Sequence, residues 1–153
     1  MTASTTYELA HGDYVVSDDQ ARFDLDRAYR WIGEESYWAQ GIPRATMDKA
    51  VRNSLTFGVY APSGEMAAMA RVVTDRATFA WLCDVFVDEG HRGQGLGKAI
   101  MVAFTEHPDL QGLRRRNLAT ADAHGLYTQY GFKPIEGVDR WMEIVDKDVY
   151  RRG

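Results

Sequence analysis

The sequence has little cysteine, no long apolar run and no excess of basic residues. Cys83 is the one cysteine among 153 residues, so a disulfide within the chain is excluded. The apolar run AIMVAF is far shorter than the roughly 20 residues that span a bilayer. The first residues, MTASTTYELAHGDY, have neither the basic nor the apolar region of a secretion signal. We therefore expect a cytoplasmic protein with no membrane partner.

Charge and composition narrow the class of protein further. Asp and Glu number 22 against 18 Lys and Arg, which gives a formal net charge of −4 and argues against nucleic acid as a partner. Apolar residues make up 45 % of the chain and aromatic residues 12 %, so we expect one packed domain over residues 1–153. The histidines do not have the spacing of zinc ligands, so no metal site is predicted; they are His11, His91, His107 and His124.

The first half of the chain predicts a strand, two helices and a hairpin. The segment YVVS (14–17) has strand propensity, and DLDRAYRWIGEE has apolar residues at helical spacing with Asp24 as a possible N-cap. Met47, Ala50 and Val51 indicate a second, short helix. The apolar segments SLTFGVYAP and EMAAMARVVTD are joined through the turn sequence PSG, which predicts a β-hairpin.

The second half predicts three more strands and two helices. The segment ATFAWLCDVFV (77–87) is apolar on both faces, as expected of a central strand that is covered on both sides. LGKAIMVAF has the apolar spacing of a helix, which we expect to end before Pro108. RRNLAT (115–120) is a strand candidate, DAHGLYTQYGF a short helix with Asp122 as its N-cap, and RWMEIV (140–145) a final strand. This order predicts an α+β fold with a mixed sheet.

The segment EGHRGQGLGKAIM places four glycines where a helix begins. The unpaired amides of a first helical turn and the helix dipole together favour an anion, and glycine lets the backbone approach that anion closely. Gly93, Gly95 and Gly97 therefore predict a phosphate-binding loop, with positive charge added by Arg92 and Lys98. Neither the G-x-x-x-x-G-K-[ST] pattern nor the G-x-G-x-x-G pattern fits these residues.

Two motifs resemble those of the GNAT superfamily of acyl-CoA-dependent N-acyltransferases. Arg92-x-x-Gly95-x-Gly97 is similar to the family signature R/Q-x-x-G-x-G/A, and LYTQYGF, about 30 residues later, resembles the family's L-Y-x-x-x-G-F. The resemblance covers residues 12–146 and is to small stand-alone bacterial members. It implies the GNAT fold, an α+β fold in which a mixed, mostly antiparallel sheet of roughly six to seven strands is flanked by about four helices.

The resemblance also implies the ligand and the residues that hold it. In the family, amides of the signature loop bind the pyrophosphate of acetyl-CoA. Backbone groups matching Phe86 and Val87 hold the pantetheine arm and polarise the thioester carbonyl. Many members carry Asn where this chain has Thr120, so a contact by that side chain is not implied here. No metal is implied. The acetyl-CoA residues implied in the loop are Arg92, Gly93, Gln94, Gly95, Leu96, Gly97 and Lys98.

Transfer of an acetyl group to an amine requires an acid for the departing thiolate and a base for the amine. Tyr127 matches the tyrosine of the family motif and is implied as the acid; its alternative role is packing in the core. We expect Tyr130 to be a packing residue. Asp84 is the one charged residue in ATFAWLCDVFV. It is therefore the base, acting directly or through water, or a group that holds a cationic substrate, or the ion-pair partner of Arg71. An ordered water relay and, after it, His124 are further candidates for the base.

The acceptor site in this family is built largely from the first two helices and the loop between them. Trp31, Tyr37 and Trp38 are candidate walls of an amine pocket, Glu35 a candidate attractor of a cation, and His124 a candidate residue beside the acceptor. The aromatic residues can equally belong to the core, and the acidic residue to a solvated face.

Two functions are compatible with these motifs. The first is an N-acetyltransferase whose partners are acetyl-CoA and an unidentified amine acceptor. The second is a catalytically silent acyl-CoA-binding module with the same fold. We favour the enzyme because both the glycine loop and Tyr127 are intact. Either a monomer or a homodimer is compatible with the sequence.

Overall fold

The computed structural model describes residues 6–151, and these residues build one six-stranded sheet. The strands lie side by side in chain order, and every neighbouring pair is antiparallel except the last, β5 and β6, which is parallel. The expected mixed, mostly antiparallel sheet is confirmed. The strands are β1 (Glu8–His11), β2 (Tyr14–Ser17), β3 (Leu55–Tyr60), β4 (Met66–Thr74), β5 (Phe79–Val87) and β6 (Arg115–Leu118).

Within residues 6–151, four α-helices and one π-helical segment lie between or after the strands. The predicted N-cap of the first helix is present, because Oδ1 of Asp24 accepts a 3.0 Å hydrogen bond from the backbone N–H of Arg27. The longest described helix has 11 residues, and none within residues 6–151 has the length and apolarity of a membrane span. The helices are α1 (Leu25–Tyr29), continued by the π-helical Arg30–Glu35, then α2 (Arg44–Arg52), α3 (Leu96–Glu106) and α4 (His124–Thr128).

The helices cover both faces of the sheet, and each face has its own hydrophobic core. On one face, α3 packs against the sheet through residues such as Ile100 and Phe104, which lie with Phe57 of β3. On the other face, the first two helices bury Trp31 and Met47. Full burial of a large apolar side chain contributes about 1.5–3 kcal/mol. The two cores therefore hold β5 between rigid layers and fix the position of its carboxyl end.

Two strand assignments made from the sequence differ from the structure. The strand β1 was not predicted, and it pairs with β2 around the turn at Gly12. The predicted strand at 140–145 is wrong, because Arg140 ends a short 3₁₀ helix and residues 141–145 form no regular structure, with Met142 and Ile144 almost fully exposed. Strand propensity measures how well a residue fits a pleated, half-buried surface, and this segment has neither a strand partner nor a buried face.

A β-bulge at Asp84 changes the direction of the side chains in β5. Cys83 pairs with Arg71 and Phe86 with Met69, so β5 has one residue more than β4 between these pairs. Asp84 occupies the extra position with a φ of 53°. Along β5, buried and half-buried positions alternate as far as Asp84, and the three residues after the bulge are all half-buried.

A cleft opens between β5 and β6 at their carboxyl ends. Their pairing ends at Leu82 and Leu118, whereas β5 continues for five more residues to Val87. Within residues 6–151, these last residues of β5 have no strand partner on the β6 side. Backbone donors and acceptors along that edge are therefore available to a ligand that enters the cleft.

Candidate active site

The glycine loop leads directly from the end of β5 to the first turn of α3. Gly93 and Gly95 have positive φ values of 82° and 74°, and Gly95 is the N-cap of α3. In the part of the chain that the structure describes, no backbone N–H from Gly93 to Lys98 donates a hydrogen bond to another protein group. Six consecutive unpaired N–H groups at the positive end of a helix dipole are suited to bind an anion such as a pyrophosphate.

The three glycines of the loop have different surroundings. A Cβ on Gly93 would meet no atom within 4 Å, so this residue borders open space. A Cβ on Gly95 would lie 3.2 Å from Nε2 of His11, and one on Gly97 would lie 3.6 Å from Cδ2 of Leu126. Gly93 therefore borders open space, whereas Gly95 and Gly97 face protein side chains.

Two cationic side chains flank the loop, as the sequence predicts. Arg92 is exposed, its Nε donates a 3.3 Å hydrogen bond to the carbonyl of Val87, and its guanidinium lies 6.0 Å from the ring centroid of Phe86. Lys98 is exposed in the first turn of α3. Both side chains are exposed next to or within the segment of unpaired amides, and their charges add to its positive potential.

Trp31 is a core residue that packs against the end of β5, and it does not line a pocket. Its side chain is completely buried, and its ring stacks on Phe86 with 5.4 Å between the ring centroids. Its Nε1–H donates a 3.2 Å hydrogen bond to Asp88, the residue that follows β5. The expectation that Trp31 lines the acceptor pocket is therefore wrong: it is a core residue that fixes the strand end.

A cavity of about 460 Å³ lies in the cleft between β5 and β6. It brings together four of the predicted site residues, namely Tyr127, Asp84, Tyr37 and Trp38. Glu35 and His124 are exposed and do not line it. The cavity also has walls that the sequence reasoning missed, chiefly Trp81 and Cys83 of β5 and the segment Leu118–Ala123.

A second cavity is larger but contains none of the predicted site residues. Its volume is about 680 Å³, and it lies between the carboxyl end of α3, β6 and residues 130–140. We place the site in the smaller cavity because that cavity contains both Tyr127 and Asp84 and opens at the unpaired edge of β5.

The Tyr127 side chain is buried, with only 8 % of its surface exposed, and it lines the cleft cavity. Among the described residues its hydroxyl makes no hydrogen bond, so it is available to a ligand. Burial raises the pKa of this phenol above its ordinary value, and the nearby Tyr37 and Asp122 raise the pKa further. The hydroxyl therefore keeps its proton at neutral pH and can act as a proton donor.

Tyr130 lies elsewhere, although it is only one helical turn from Tyr127. It is half-buried, its hydroxyl lies 3.5 Å from the carbonyl oxygen of Lys98, and it lines the larger cavity. Its position agrees with the packing role that was expected for it.

Asp84 is held by two partners from different parts of the chain. Its Oδ2 lies 2.9 Å from Nε of Arg71, which is the ion pair that the sequence allowed. Its Oδ1 accepts a 2.9 Å hydrogen bond from Nε1–H of Trp38. The carboxylate is 93 % buried (7 % exposed), so both bonds offset the cost of removing a charge from water.

The loop between β6 and α4 forms the far wall of the cavity, and Thr120 organises it. Oγ1 of Thr120 accepts hydrogen bonds from the backbone N–H of Ala123 and, at 3.4 Å, of Asp122. The prediction that Asp122 caps α4 is wrong: the N-cap position is Ala123, and Thr120 supplies the side-chain acceptor instead. The hydroxyl of Tyr37 accepts a 3.3 Å hydrogen bond from the N–H of Ala121, which joins the two walls of the cleft.

Across residues 6–151, no group of three or more His, Cys, Asp or Glu side chains is arranged to hold a metal ion.

Known proteins resemble this chain over most of its length. A family profile described as "Acetyltransferase (GNAT) domain" matches residues 52–134. A Gibberella zeae protein that carries the name of an acetyltransferase is 30 % identical, with 76 % of each chain covered. A crystal structure of a Xanthomonas campestris protein, described as belonging to the GNAT family, matches with a TM-score of 0.88 at 45 % identity and covers 92 % of this chain and 99 % of that one.

A further solved structure is similar in fold alone. It is a GNAT family acetyltransferase of Elizabethkingia anophelis with acetyl-CoA bound, and it matches with a TM-score of 0.61 at 12 % identity. The match covers 82 % of this chain and 79 % of that one.

Proposed function

Because the chain belongs to the GNAT family of acetyltransferases, we propose that it transfers an acetyl group from acetyl-CoA to the amino group of an acceptor. Family membership implies acyl transfer from acetyl-CoA. One observation carries the finer proposal: Tyr127, whose hydroxyl is unpaired among the described residues, lines a cavity that follows β5 as far as Val85, and β5 leads on into the segment with the unpaired amides. The proton donor therefore lies beside the strand whose carboxyl end leads into the proposed anion site.

The loop and the free edge of β5 are proposed to hold acetyl-CoA. The amides from Gly93 to Lys98 suit the pyrophosphate, and Arg92 adds charge beside them. The pantetheine arm would pair with the unpaired edge of β5 at Phe86 and Val87, as an added strand does. A backbone N–H on that edge would then polarise the thioester carbonyl.

The reaction is proposed to be a direct attack of the amine on the thioester. The amine nitrogen forms a bond to the carbonyl carbon, and the carbon–sulfur bond breaks. Coenzyme A leaves as a thiolate, and Tyr127 gives it a proton. The raised pKa of Tyr127 supports this role, because a phenol that stays protonated at neutral pH is ready to donate.

An acyl-enzyme intermediate on Cys83 is disfavoured. Burial raises the pKa of Cys83 from its ordinary value of 9.0 to about 12, so almost no thiolate is present at neutral pH. The thiolate is the nucleophilic form of cysteine. Direct transfer is therefore the mechanism that this cavity supports.

Asp84 is proposed to receive the proton of the amine, directly or through a water molecule. It is the buried carboxylate of the cavity, whereas Asp122 is exposed. Each of its oxygens binds one protein partner, Trp38 or Arg71, and a carboxylate oxygen has a second lone pair. The two bonds also give Asp84 a positioning role, and the substitutions in the Discussion separate the two roles.

The acceptor is proposed to be an amine with an apolar or aromatic body. Tyr37, Trp38 and Trp81 provide aromatic surface in the cavity, and the rings of Tyr37 and Trp38 meet edge to face at 4.9 Å. Aromatic walls favour flat or aliphatic groups over strongly hydrated ones.

A panel of amines tests this function. The purified protein is incubated with acetyl-CoA and each amine, and release of the coenzyme A thiol is followed. We expect release with arylalkyl or aliphatic amines, and none with matched alcohols or carboxylic acids. Binding of acetyl-CoA without thiol release from any amine, peptide amines included, would contradict the proposal and favour a silent acyl-CoA-binding module.

A further inference from the structure

The hairpin of β1 and β2 reaches the glycine loop at its tip. His11 and Tyr14 are the last paired residues on either side of the turn, and both point side chains toward the loop. Nε2 of His11 lies 2.9 Å from the carbonyl oxygen of Gln94. A carbonyl oxygen only accepts, so the His11 ring donates from Nε2.

The second contact joins three segments of the chain at His91, the residue before Arg92. Nε2 of His91 lies 2.7 Å from Oε1 of Glu65, in the turn between β3 and β4. Nδ1 of His91 lies 2.9 Å from the hydroxyl of Tyr14. The carboxylate fixes a proton on Nε2, so in the neutral ring Nδ1 accepts the hydrogen bond that Tyr14 donates.

The His11 contact determines which way an amide of the loop points. In a trans peptide the C=O of one residue and the N–H of the next point in opposite directions. The Gln94 carbonyl points at His11, so the Gly95 N–H points away from His11. The space on the side of Gly95 that faces His11 is occupied by the His11 ring, because a Cβ on Gly95 would lie only 3.2 Å from that ring. The amide is therefore directed toward the side from which an anion can approach.

We propose that His11 and His91 are positioning residues that orient the amides of the loop for the pyrophosphate of acetyl-CoA, so that the β1–β2 hairpin sets the affinity for this substrate. The two contacts lie on either side of Arg92 and Gly93 and hold both ends of the loop tip. His11 and Tyr14 lie outside residues 52–134, the part matched by the family profile. The inference rests on the proposed function, because it needs acetyl-CoA as the ligand.

Two substitutions at one position separate the hydrogen bond from packing. His11→Phe keeps a ring against Gly95 but removes the donor, whereas His11→Gln keeps a donor of similar reach. Loss of one hydrogen bond typically changes an equilibrium by about three- to tenfold. By calorimetry, we expect His11→Phe to weaken coenzyme A binding by about that factor, and His11→Gln to stay within about twofold of the wild type.

Tyr14→Phe tests the second contact, because it removes only the hydroxyl that bonds His91. It should also weaken coenzyme A binding, by about two- to fivefold, while the thermal midpoint changes little. Glu8→Gln is the control, since Glu8 is an exposed residue of β1 away from the loop. With an amine acceptor in hand, the His11→Phe and Tyr14→Phe proteins should show a raised KM for acetyl-CoA and an unchanged kcat.

The outcomes distinguish this inference from the proposed function. A wild-type protein that binds neither coenzyme A nor acetyl-CoA overturns both. A wild-type protein that binds, with affinity unchanged in His11→Phe and Tyr14→Phe, overturns the positioning role alone. An affinity loss in His11→Phe that His11→Gln does not restore shows that the ring's packing is what matters, which also overturns the hydrogen-bond role.

Discussion

The indole N–H of Trp38 donates a 2.9 Å hydrogen bond to the carboxylate of Asp84. This bond joins the loop that follows the first helical segment to the bulge of β5, 46 residues further along the chain. Because Arg71 holds the other carboxylate oxygen, the position of Trp38 depends on a buried ion pair. One wall of the cleft cavity is therefore held in place by an ion pair between two strands of the sheet.

Substitution of Asp84 by Asn tests whether this carboxylate is a base. Asn keeps an oxygen that can accept from Trp38, but it cannot take a proton at neutral pH. We expect turnover to fall by about 10²-fold or more while acetyl-CoA binding, measured by calorimetry, is kept. If turnover is unchanged, the base role is wrong, and only the positioning role remains.

The ion-pair role of Asp84 is tested separately, through the free energy of unfolding. Breaking a buried pair leaves the Arg71 charge without its partner and costs about 3–5 kcal/mol when burial is complete; we expect about 3 kcal/mol here because the Arg71 side chain is 19 % exposed. Denaturant unfolding measures this cost. The double variant Asp84→Asn, Arg71→Gln should recover much of the stability but none of the turnover.

Substitution of Tyr127 by Phe removes the proposed acid and keeps the ring. Packing against Phe132, at 6.1 Å between ring centroids, should persist, and so should acetyl-CoA binding. Turnover should fall by about 10²–10⁴-fold, the usual contribution of general-acid catalysis. Tyr130→Phe is the matched control, and we expect it to change turnover little. The acid assignment fails if Tyr130→Phe abolishes turnover and Tyr127→Phe does not.

Two glycine substitutions that cause nearly equal backbone strain separate the effect of strain on stability from the effect of loop shape on acetyl-CoA binding. Gly95 and Gly112 have φ values of 74° and 72°, so alanine at either position should cost about 1 kcal/mol of stability. A Cβ on Gly112 would meet nothing within 4 Å, whereas one on Gly95 would press on His11. We expect Gly95→Ala alone to weaken acetyl-CoA binding, by tenfold or more. Equal affinities in the two variants would rule out a loop shape held by His11.

The half-buried thiol of Cys83 predicts a pH dependence of stability. Its pKa is raised to about 12 in the folded protein, so its contribution is fully present below the ordinary pKa of 9.0 and is lost as the pH rises toward 12. In that window the free energy of unfolding should fall by about 1.4 kcal/mol per pH unit. Between pH 9 and 10, Cys83→Ala should have a shallower slope than the wild type, because the tyrosines that begin to ionise there affect both proteins alike. If the unfolding free energies of the wild type and of Cys83→Ala fall equally with pH, the raised pKa of the thiol is contradicted.

Sequence patterns predicted the elements whose cause is local. The strand at 14–17, the hairpin of β3 and β4, and α3 were predicted because strand alternation, turn residues and helical spacing each act over a few residues. The N-cap at Asp24 was predicted for the same reason, since its partner is three residues away. The segment at 140–145 shows the limit of this reasoning, because a strand also needs a partner that propensity does not supply.

The sequence by itself determined the glycine loop before α3 and the tyrosine at 127, because a loop that begins a helix and a residue on a helix face are defined by neighbours along the chain. The tertiary structure alone decided that Trp31 is a core residue, that Trp38 lines the cavity and that Asp84 lies in a bulge. It also brought His11 to the loop, 83 residues away in the chain. The physical reason is that burial and hydrogen-bond partners depend on which distant segments pack together, and no local pattern contains that information.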